Sequence, residues 1–181
     1  MTKLILIISY FLLSSAVTVE SIYSHSVTSI EGNNKPLNAY LGKKMLIITL
    51  PTVQNASNYS LLHSLDSLRA ANPGSLVIIG VPAYEDGYTP AIKESLKTWY
   101  RSILNNNIII TEGLYTRKTS GSQQHPLFKF LTDKERNGHF NRDISGPGNK
   151  FFVWTDGELM GVLGPQTRLG SPAMISLLLG Q

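Results

Sequence analysis

The sequence predicts an α/β fold in which a central mixed β-sheet is flanked by helices and preceded by an N-terminal β-hairpin. Two short runs of apolar and β-branched residues, 45–50 and 76–81, are each stopped by a proline, which is typical of strands buried on both faces. Leucines at helical spacing lie between the two runs, so we expect a crossover helix that joins parallel strands. A chain of 181 residues with 42% hydrophobic residues is long enough to bury one core of this kind.

The two ends of the domain carry the signals of antiparallel hairpins. At the N-terminal end, residues 22–28 and 35–37 are the predicted strands, with a polar, turn-like segment between them. Near the C-terminal end, the predicted strands are residues 151–154 and 159–163. An Asp-Gly pair joins them, and this pair strongly favours a tight hairpin turn.

The crossover helix is indicated by its spacing and by the residues that begin and end it. Its apolar positions are Leu61, Leu62, Leu65 and Leu68. Asn58 or Ser57 is the expected N-cap, because their side chains can accept a hydrogen bond from a free N–H of the first turn. The Asn72-Pro73-Gly74 segment predicts the end of this helix.

The remaining elements follow from similar signals. Thr89 and Pro90 predict the start of a second helix, residues 108–111 a third strand, and residues 126–131 a short helix. Ser171, followed by a proline, predicts the N-cap of the last helix. The residues expected on the buried face of that helix are Met174, Ile175, Leu178 and Leu179.

The first residues have the pattern of a secretory signal peptide. Lys3 precedes a short apolar run, residues 4–13, and small residues then suit a cleavage site after Ala16. The run is too short to span a bilayer, although an uncleaved anchor or a buried strand are the alternatives. We therefore expect a signal peptide over 1–16, a single domain over 17–181, no membrane span after cleavage, and a periplasmic or secreted location.

Composition excludes several classes of function. The chain has no cysteine, which rules out disulfides, a thiolate nucleophile and cysteine-bound zinc or clusters. Its 16 basic residues are scattered rather than concentrated, so nucleic acid is not an expected partner. The four histidines show no metal-ligand spacing, although His63 with Asp66 and His139 with Asp143 could form local pairs. No metal or cofactor is expected.

The order of several short segments resembles the glutathione peroxidase family, a branch of the thioredoxin-like superfamily. The likeness covers nearly the whole chain after the signal peptide. The segments that carry it are Ile22-Tyr23, Tyr40-Leu41-Gly42-Lys43, Asn58-Tyr59, Gly80-Val81-Pro82, Pro126-Leu127-Phe128-Lys129-Phe130-Leu131, Lys150-Phe151-Phe152-Val153 and Asp156-Gly157. The resemblance implies a thioredoxin-like fold of the glutathione peroxidase type.

The catalytic positions of that family are where this sequence departs from it. The resemblance places Gln54 where the family has the cysteine or selenocysteine that attacks peroxide. Tyr84 and Glu85 stand in place of the family's Asn-Gln pair, and Gly146-Pro147 in place of its Trp-Asn pair. An amide is not a nucleophile for this reaction, and an extra carboxylate has the wrong sign to stabilise a thiolate. These five positions therefore indicate a degenerate site.

Other chemistry in the inherited cleft is the alternative to an inert site. Gln54, Tyr84 and Glu85 are expected to converge at the carboxyl ends of the central strands, where α/β sheets often bind ligands. Glu85 could serve as a general base or bind a cation, or it could be a solvated loop residue beside Asp86. Tyr84 could bind a ligand or simply cover the sheet edge.

Three hypotheses for the function follow from this pattern. The first is an exported, non-catalytic relative of the glutathione peroxidases that binds an unknown protein or small molecule, is associated with oxidative stress, or simply persists without its ancestral chemistry. The second is an enzyme that uses a non-thiol mechanism in the inherited cleft. The third is a peroxidase whose nucleophile or electron donor is supplied by a partner. The missing nucleophile favours the first hypothesis.

Overall fold

The computed structural model describes residues 20–180, so the predicted signal peptide over 1–16 lies outside the described residues. In chain order the strands and helices are β1 (Ser26–Thr28), β2 (Asn34–Pro36), β3 (Lys44–Leu50), α1 (Ala56–Ala71), β4 (Leu76–Pro82), α2 (Lys93–Arg101), β5 (Ile109–Ile110), α3 (Pro126–Thr132), α4 (Lys134–Asn137), β6 (Lys150–Val153), β7 (Leu159–Leu163) and α5 (Pro172–Leu179).

The strands form a central mixed sheet and a separate N-terminal hairpin. The five-stranded sheet has the order β5-β4-β3-β6-β7, and β1 pairs with β2 in the hairpin. Strand β3 lies parallel to β4 and antiparallel to β6, so Ile47 is opposite Ile79 on one side and Phe151 on the other. The predicted fold class, with its mixed sheet and N-terminal hairpin, is confirmed.

The two faces of the sheet are covered by different elements because side chains alternate along each strand. On one face Met45 and Ile47 pack with residues of the N-terminal hairpin and of α3. On the other face Leu46 and Ile48 pack with Leu62 of α1 and with residues of α2 and α5. Every residue of β4 is buried, as the proline-stopped apolar run predicts.

Helix α1 begins two to three residues earlier than the sequence signals suggest. Its N-cap is Asn55, whose Oδ1 accepts a hydrogen bond from the backbone N–H of Asn58 at 2.9 Å. The side chain of Asn58 instead donates to the carbonyl of Val53 at 2.7 Å. The predicted caps, Asn58 and Ser57, were therefore wrong, because Asn55, which is closer to the strand, begins the helix and caps it.

The last helix also differs from the prediction in its buried face. Ser171 caps α5 through the N–H of Met174, and Met174 is fully buried as expected. Ile175 and Leu179 were expected on the buried face, but they are 46% and 61% exposed. Leu178 packs against the core as expected, and Leu177, which was not predicted, does so too, because the positions i+3 and i+4 from Met174 share its face.

Two further features depart from the sequence prediction. Pro90 begins a 3₁₀ turn before α2, and the side chain of Thr89 makes no capping hydrogen bond there. Helix α4 was not predicted, and Asp133 caps it through the N–H of Glu135. None of the helices within residues 20–180 combines the length and the apolar character needed to cross a membrane.

Candidate functional site

Three loops meet at the carboxyl ends of β3 and β4. The loop after β3 leads into α1, the loop after β4 contains Tyr84 and Glu85, and the loop before β6 contains Gly146 and Pro147. Hydrogen bonds connect the three loops. Thr49 Oγ1 donates to the Gly146 carbonyl at 2.9 Å, and Thr52 Oγ1 donates to the Asp86 carbonyl. The backbone therefore brings all five predicted site residues to one edge of the sheet.

Gln54 lies directly before the N-cap of α1 and is exposed. Its Oε1 accepts a hydrogen bond from the hydroxyl of Tyr59 at 3.1 Å. Tyr59 in turn packs edge-on against the buried Trp99 of α2, with ring centroids 5.7 Å apart. The carboxamide is thus bound to a neighbouring turn of its own helix. That it replaces the peroxidatic residue of the family stays a prediction from the resemblance.

Tyr84 lies in an aromatic stack rather than in an open cleft. Its ring stacks on Tyr115 at a centroid distance of 4.5 Å and meets Tyr88 edge-on at 5.2 Å. Burial, followed by the neighbouring tyrosines, raises the pKa of its phenol. The residue covers the end of β4, the non-binding role considered for it from the sequence.

Glu85 is enclosed by hydrogen-bond donors from the loop that follows β5. Its Oε1 accepts from the backbone N–H groups of Thr116 and Arg117, both at 2.8 Å, and from Ser120 Oγ at 2.6 Å. Burial alone would raise the pKa of Glu85, but these hydrogen bonds outweigh it and the pKa is lowered. A carboxylate stabilised in its ionised form by three donors is a poor general base.

The Gly146-Pro147-Gly148 segment forms a turn against the end of β3. The N–H of Gly148 donates to the carbonyl of Thr49 at 2.8 Å, and Thr49 Oγ1 accepts from the N–H of Asn149 at 3.0 Å. Gly148 has a φ of +88°, a conformation that favours glycine. The turn is held by backbone hydrogen bonds and by the side chains of Thr49 and Asn149, and its own residues supply no side-chain hydrogen-bond donor to the edge.

The three loops converge at the predicted edge of the sheet, but the side chains there have separate partners. Gln54 accepts a hydrogen bond from Tyr59, and the ring of Tyr84 stacks on that of Tyr115. Glu85 accepts a hydrogen bond from the backbone of Thr116. In residues 20–180, no hydrogen bond joins any two of the predicted site residues. The physical reason is that the loop after β5 competes for Glu85 and Tyr84 and draws both away from α1.

A charged pair beside Glu85 was not anticipated from the sequence. The carboxylate of Asp86 forms a salt bridge with the guanidinium of Arg117, and only 7% of the Asp86 side chain is exposed. Burial raises the pKa of Asp86, and the nearby Arg117 partly offsets this effect. Together, Glu85 and Asp86 anchor the loop over 115–124.

The two histidine pairs that the sequence spacing allows, His63 with Asp66 and His139 with Asp143, do not form. Asp66 accepts from the backbone N–H of Asn105 at 3.1 Å, and Asp143 accepts from that of Lys118 at 3.0 Å. His139 lies 3.6 Å from Glu158 instead. Over the described part of the chain, no three histidine, aspartate or glutamate side chains are grouped as metal ligands.

The residue that sequence reasoning missed is Lys150, the first residue of β6. From the sequence, this lysine was noted only as part of the family resemblance. In the structure its side chain is 1% exposed, and it lies in the wall of a large cleft. This cleft is on the opposite side of α1 from Gln54 and Trp99. The available signal was a lysine immediately before three apolar residues of a buried strand. A cation in that position has to be accommodated inside the protein.

Comparisons with known proteins agree with this fold. No protein-family model matches the chain. Among curated proteins, glutathione peroxidase 1 of Caenorhabditis elegans is 23% identical over 150 residues, covering 82% of this chain and 90% of the relative. The glutathione peroxidase homolog BsaA of Bacillus subtilis is 27% identical over 154 residues, covering 81% and 90%.

Solved structures give the same result at the level of the fold. The crystal structure of Trgpx in apo form matches with a TM-score of 0.62 and 20% identity, covering 87% of this chain and 92% of that one. The crystal structure of T. cruzi GPX1 matches with a TM-score of 0.60 and 15% identity, covering 87% of this chain and 92% of that one. These likenesses show the fold.

The fold is thioredoxin-like, of the glutathione peroxidase type. The resemblance to the glutathione peroxidase family is confirmed by the curated relatives and by the structural neighbours. The chain differs from a thiol peroxidase in having no cysteine at all.

Proposed function

We propose that this protein is an exported, glutathione-peroxidase-like domain that binds a ligand and does not reduce peroxides. The observation that carries the proposal is the absence of any cysteine from a chain with this fold. Reduction of a peroxide by this family begins when a thiolate or selenolate attacks the O–O bond. The carboxamide of Gln54, which lies before α1, cannot perform that attack.

The surroundings of Gln54 support the same conclusion. A peroxidatic thiolate needs hydrogen-bond donors that stabilise it and the departing oxygen. Tyr84 is stacked in an aromatic cluster, Glu85 is bound by the loop at Thr116, and the Gly146-Pro147-Gly148 turn contributes no side-chain donor. A non-thiol mechanism based on Glu85 is disfavoured because its carboxylate already accepts three hydrogen bonds.

A peroxide-consumption assay tests the proposal. The purified domain is mixed with hydrogen peroxide or tert-butyl hydroperoxide, with glutathione or dithiothreitol as the donor. We expect the same rate as with heat-unfolded protein. Turnover above that control would overturn the proposal, and loss of the turnover in Gln54→Ala would then place chemistry at this edge.

The variant Gln54→Cys, with Gln54→Ser as its matched control, tests the role of the surroundings. We expect it to restore little peroxidase activity, because the start of α1 alone cannot replace the missing donors. Recovery to within tenfold of a thiol peroxidase, about 1.4 kcal/mol in transition-state terms, would mean that the fold alone supplies the activity.

Export is the part of the proposal that depends on residues 1–16. The apolar run and the small residues before Val17 support cleavage after Ala16. Expression of the full chain in a secreting host, followed by mass spectrometry of the exported protein, is expected to give a chain that begins at Val17. Retention of the full-length chain in the cytoplasm would contradict export.

A further inference from the structure

Lys150 is a buried cation without an anionic partner. Its side chain is 1% exposed, and its ammonium donates to the carbonyls of Gly148 at 2.6 Å and Gly164 at 3.3 Å. Within residues 20–180 it takes part in no salt bridge. Buried charges in proteins are normally paired, because an ammonium removed from water loses a large hydration energy. Two neutral carbonyls leave its charge unbalanced.

Lys150 also lies in the wall of a large cleft. The cleft has a volume of about 1160 Å³ and runs between the first half of α1, the turn before β6 and the loop over 165–172. Pockets for small molecules commonly measure about 300–1,000 Å³, so this one has room for more than a single ion. Because the ammonium is almost wholly shielded from solvent, an anion in the cleft would meet its charge across the carbonyls of Gly148 and Gly164 rather than at an open surface.

The lining of the cleft is complementary to an anion. None of its described lining residues is acidic, and Arg168 adds a second, exposed cation that forms no salt bridge in the described chain. Hydroxyl and amide side chains supply hydrogen-bond donors around both cations. They are Ser57, Asn58, Ser60, Gln166 and Thr167, whereas the hydroxyl of Ser64 already donates to the Ser60 carbonyl. The cleft therefore offers positive charge and donors with no opposing carboxylate.

We propose that this cleft binds a small anionic molecule through an oxyanion group, for which Lys150 supplies the counter-charge and Arg168 a second contact. The inference rests on the proposed function, because it names the class of ligand for a protein proposed to bind rather than to catalyse. Phosphate and carboxylate groups share the required chemistry. Burial lowers the pKa of Lys150 to about 8, so its amine is still mostly protonated at pH 7 and a bound anion would raise that pKa.

Binding is tested by isothermal titration calorimetry with inorganic phosphate and with succinate, at constant ionic strength set by sodium chloride. We expect at least one probe to bind saturably. Binding is expected to weaken at least tenfold in Lys150→Met and three- to tenfold in Arg168→Gln. The control Lys134→Met removes an equal charge from the exposed helix α4 and should leave binding unchanged.

The outcomes separate the sources of the oxyanion. Saturable binding of phosphate alone assigns a phosphorylated ligand, and binding of succinate alone assigns a carboxylate. Binding of neither probe overturns the inference, as does equal binding by wild type and Arg168→Gln, which replaces an exposed residue and leaves the core intact.

A second measurement covers the case in which Lys150→Met fails to fold. In wild-type protein labelled with ¹⁵N-lysine, the Lys150 Nζ resonance is titrated with pH with and without the probe that binds. An upward shift of its midpoint supports the inference, and an unchanged midpoint overturns it. Peroxide turnover together with intact anion binding would overturn only the proposed function, whereas absence of both would overturn only the inference.

Discussion

Glu85 and Lys150 are two charged residues near the same edge of the sheet, and their surroundings differ in one decisive respect. Glu85 accepts hydrogen bonds from two backbone N–H groups and from Ser120, so the protein itself satisfies its charge. Lys150 is buried more deeply but meets only neutral carbonyls. A charge that is satisfied internally holds the structure together, whereas a buried charge without a counter-charge favours a ligand that supplies one.

This difference between Glu85 and Lys150 bears on where in the molecule a ligand would bind. The predicted residues around Gln54 and Glu85 share an edge but are engaged with separate neighbours. The cleft beside Lys150, on the other side of α1, has cationic groups and no acidic residue in its lining. The binding role is therefore proposed for the cleft, and a structural role for the loop anchored by Glu85.

The largest effect is expected from removing the carboxylate of Glu85. Glu85→Ala should lower the free energy of unfolding by about 2–3 kcal/mol, because the N–H groups of Thr116 and Arg117 would lose a charged acceptor. Glu85→Gln should cost less, about 1–2 kcal/mol, since its amide oxygen can still accept. Urea unfolding at pH 7 measures both, with the exposed Glu94→Gln as a control.

The pH dependence sharpens the same prediction. The pKa of Glu85 is lower in the folded than in the unfolded chain, so its contribution is present above the unfolded pKa and is lost as the pH falls through the folded one. The stability of wild type and of Glu85→Gln should therefore approach each other in acid. If the difference in the free energy of unfolding between wild type and Glu85→Gln stayed constant from pH 7 into acid, the structural role of the carboxylate would be contradicted.

A smaller effect, in a more alkaline pH range, is expected at Lys150. Its pKa is lowered from 10.5 to about 8, so the unfolded chain binds more protons between these values and stability rises with pH. Between pH 8 and 9.5 we expect a gain of about 1 kcal/mol in wild type. Lys150→Met should lose this gain. Unfolding of wild type and of Lys150→Met is measured only below pH 10, because tyrosines of the unfolded chain ionise near that pH.

The two unfolding series are compared in the absence of phosphate and other oxyanions. An anion bound to Lys150 would raise its pKa and hide the slope. Parallel pH profiles for wild type and Lys150→Met would show that the ammonium is solvated in the folded state, contrary to its burial.

The smallest effect is expected at Gln54, the position on which the resemblance places the lost nucleophile. Gln54→Ala should change the free energy of unfolding by less than about 0.5 kcal/mol, because the side chain is exposed. The adjacent N-cap provides the contrast, since Asn55→Ala should cost about 1 kcal/mol. If Gln54→Ala proved as costly as Asn55→Ala, its contact with Tyr59 would have a larger structural role than its exposure suggests.

Much of the fold could be predicted from local patterns. The strands β3 and β4 follow from apolar runs that end at prolines, and β6 and β7 from an Asp-Gly turn between two apolar segments. The errors occurred where two residues could perform the same local task. Asn55 rather than Asn58 caps α1, and Leu177 rather than Ile175 faces the core, because tertiary contacts decide between equivalent candidates.

By itself the sequence determined the type of fold and the absence of sulfur chemistry that needs cysteine, because hydrophobic periodicity and composition are local properties of the chain. Only the tertiary structure decided that Glu85 would be satisfied by a loop some 30 residues away and that Lys150 would be buried without a carboxylate. Both outcomes depend on which distant groups meet in three dimensions, and the surrounding hydrogen bonds and solvent exclusion then fix the energetic role of each charge.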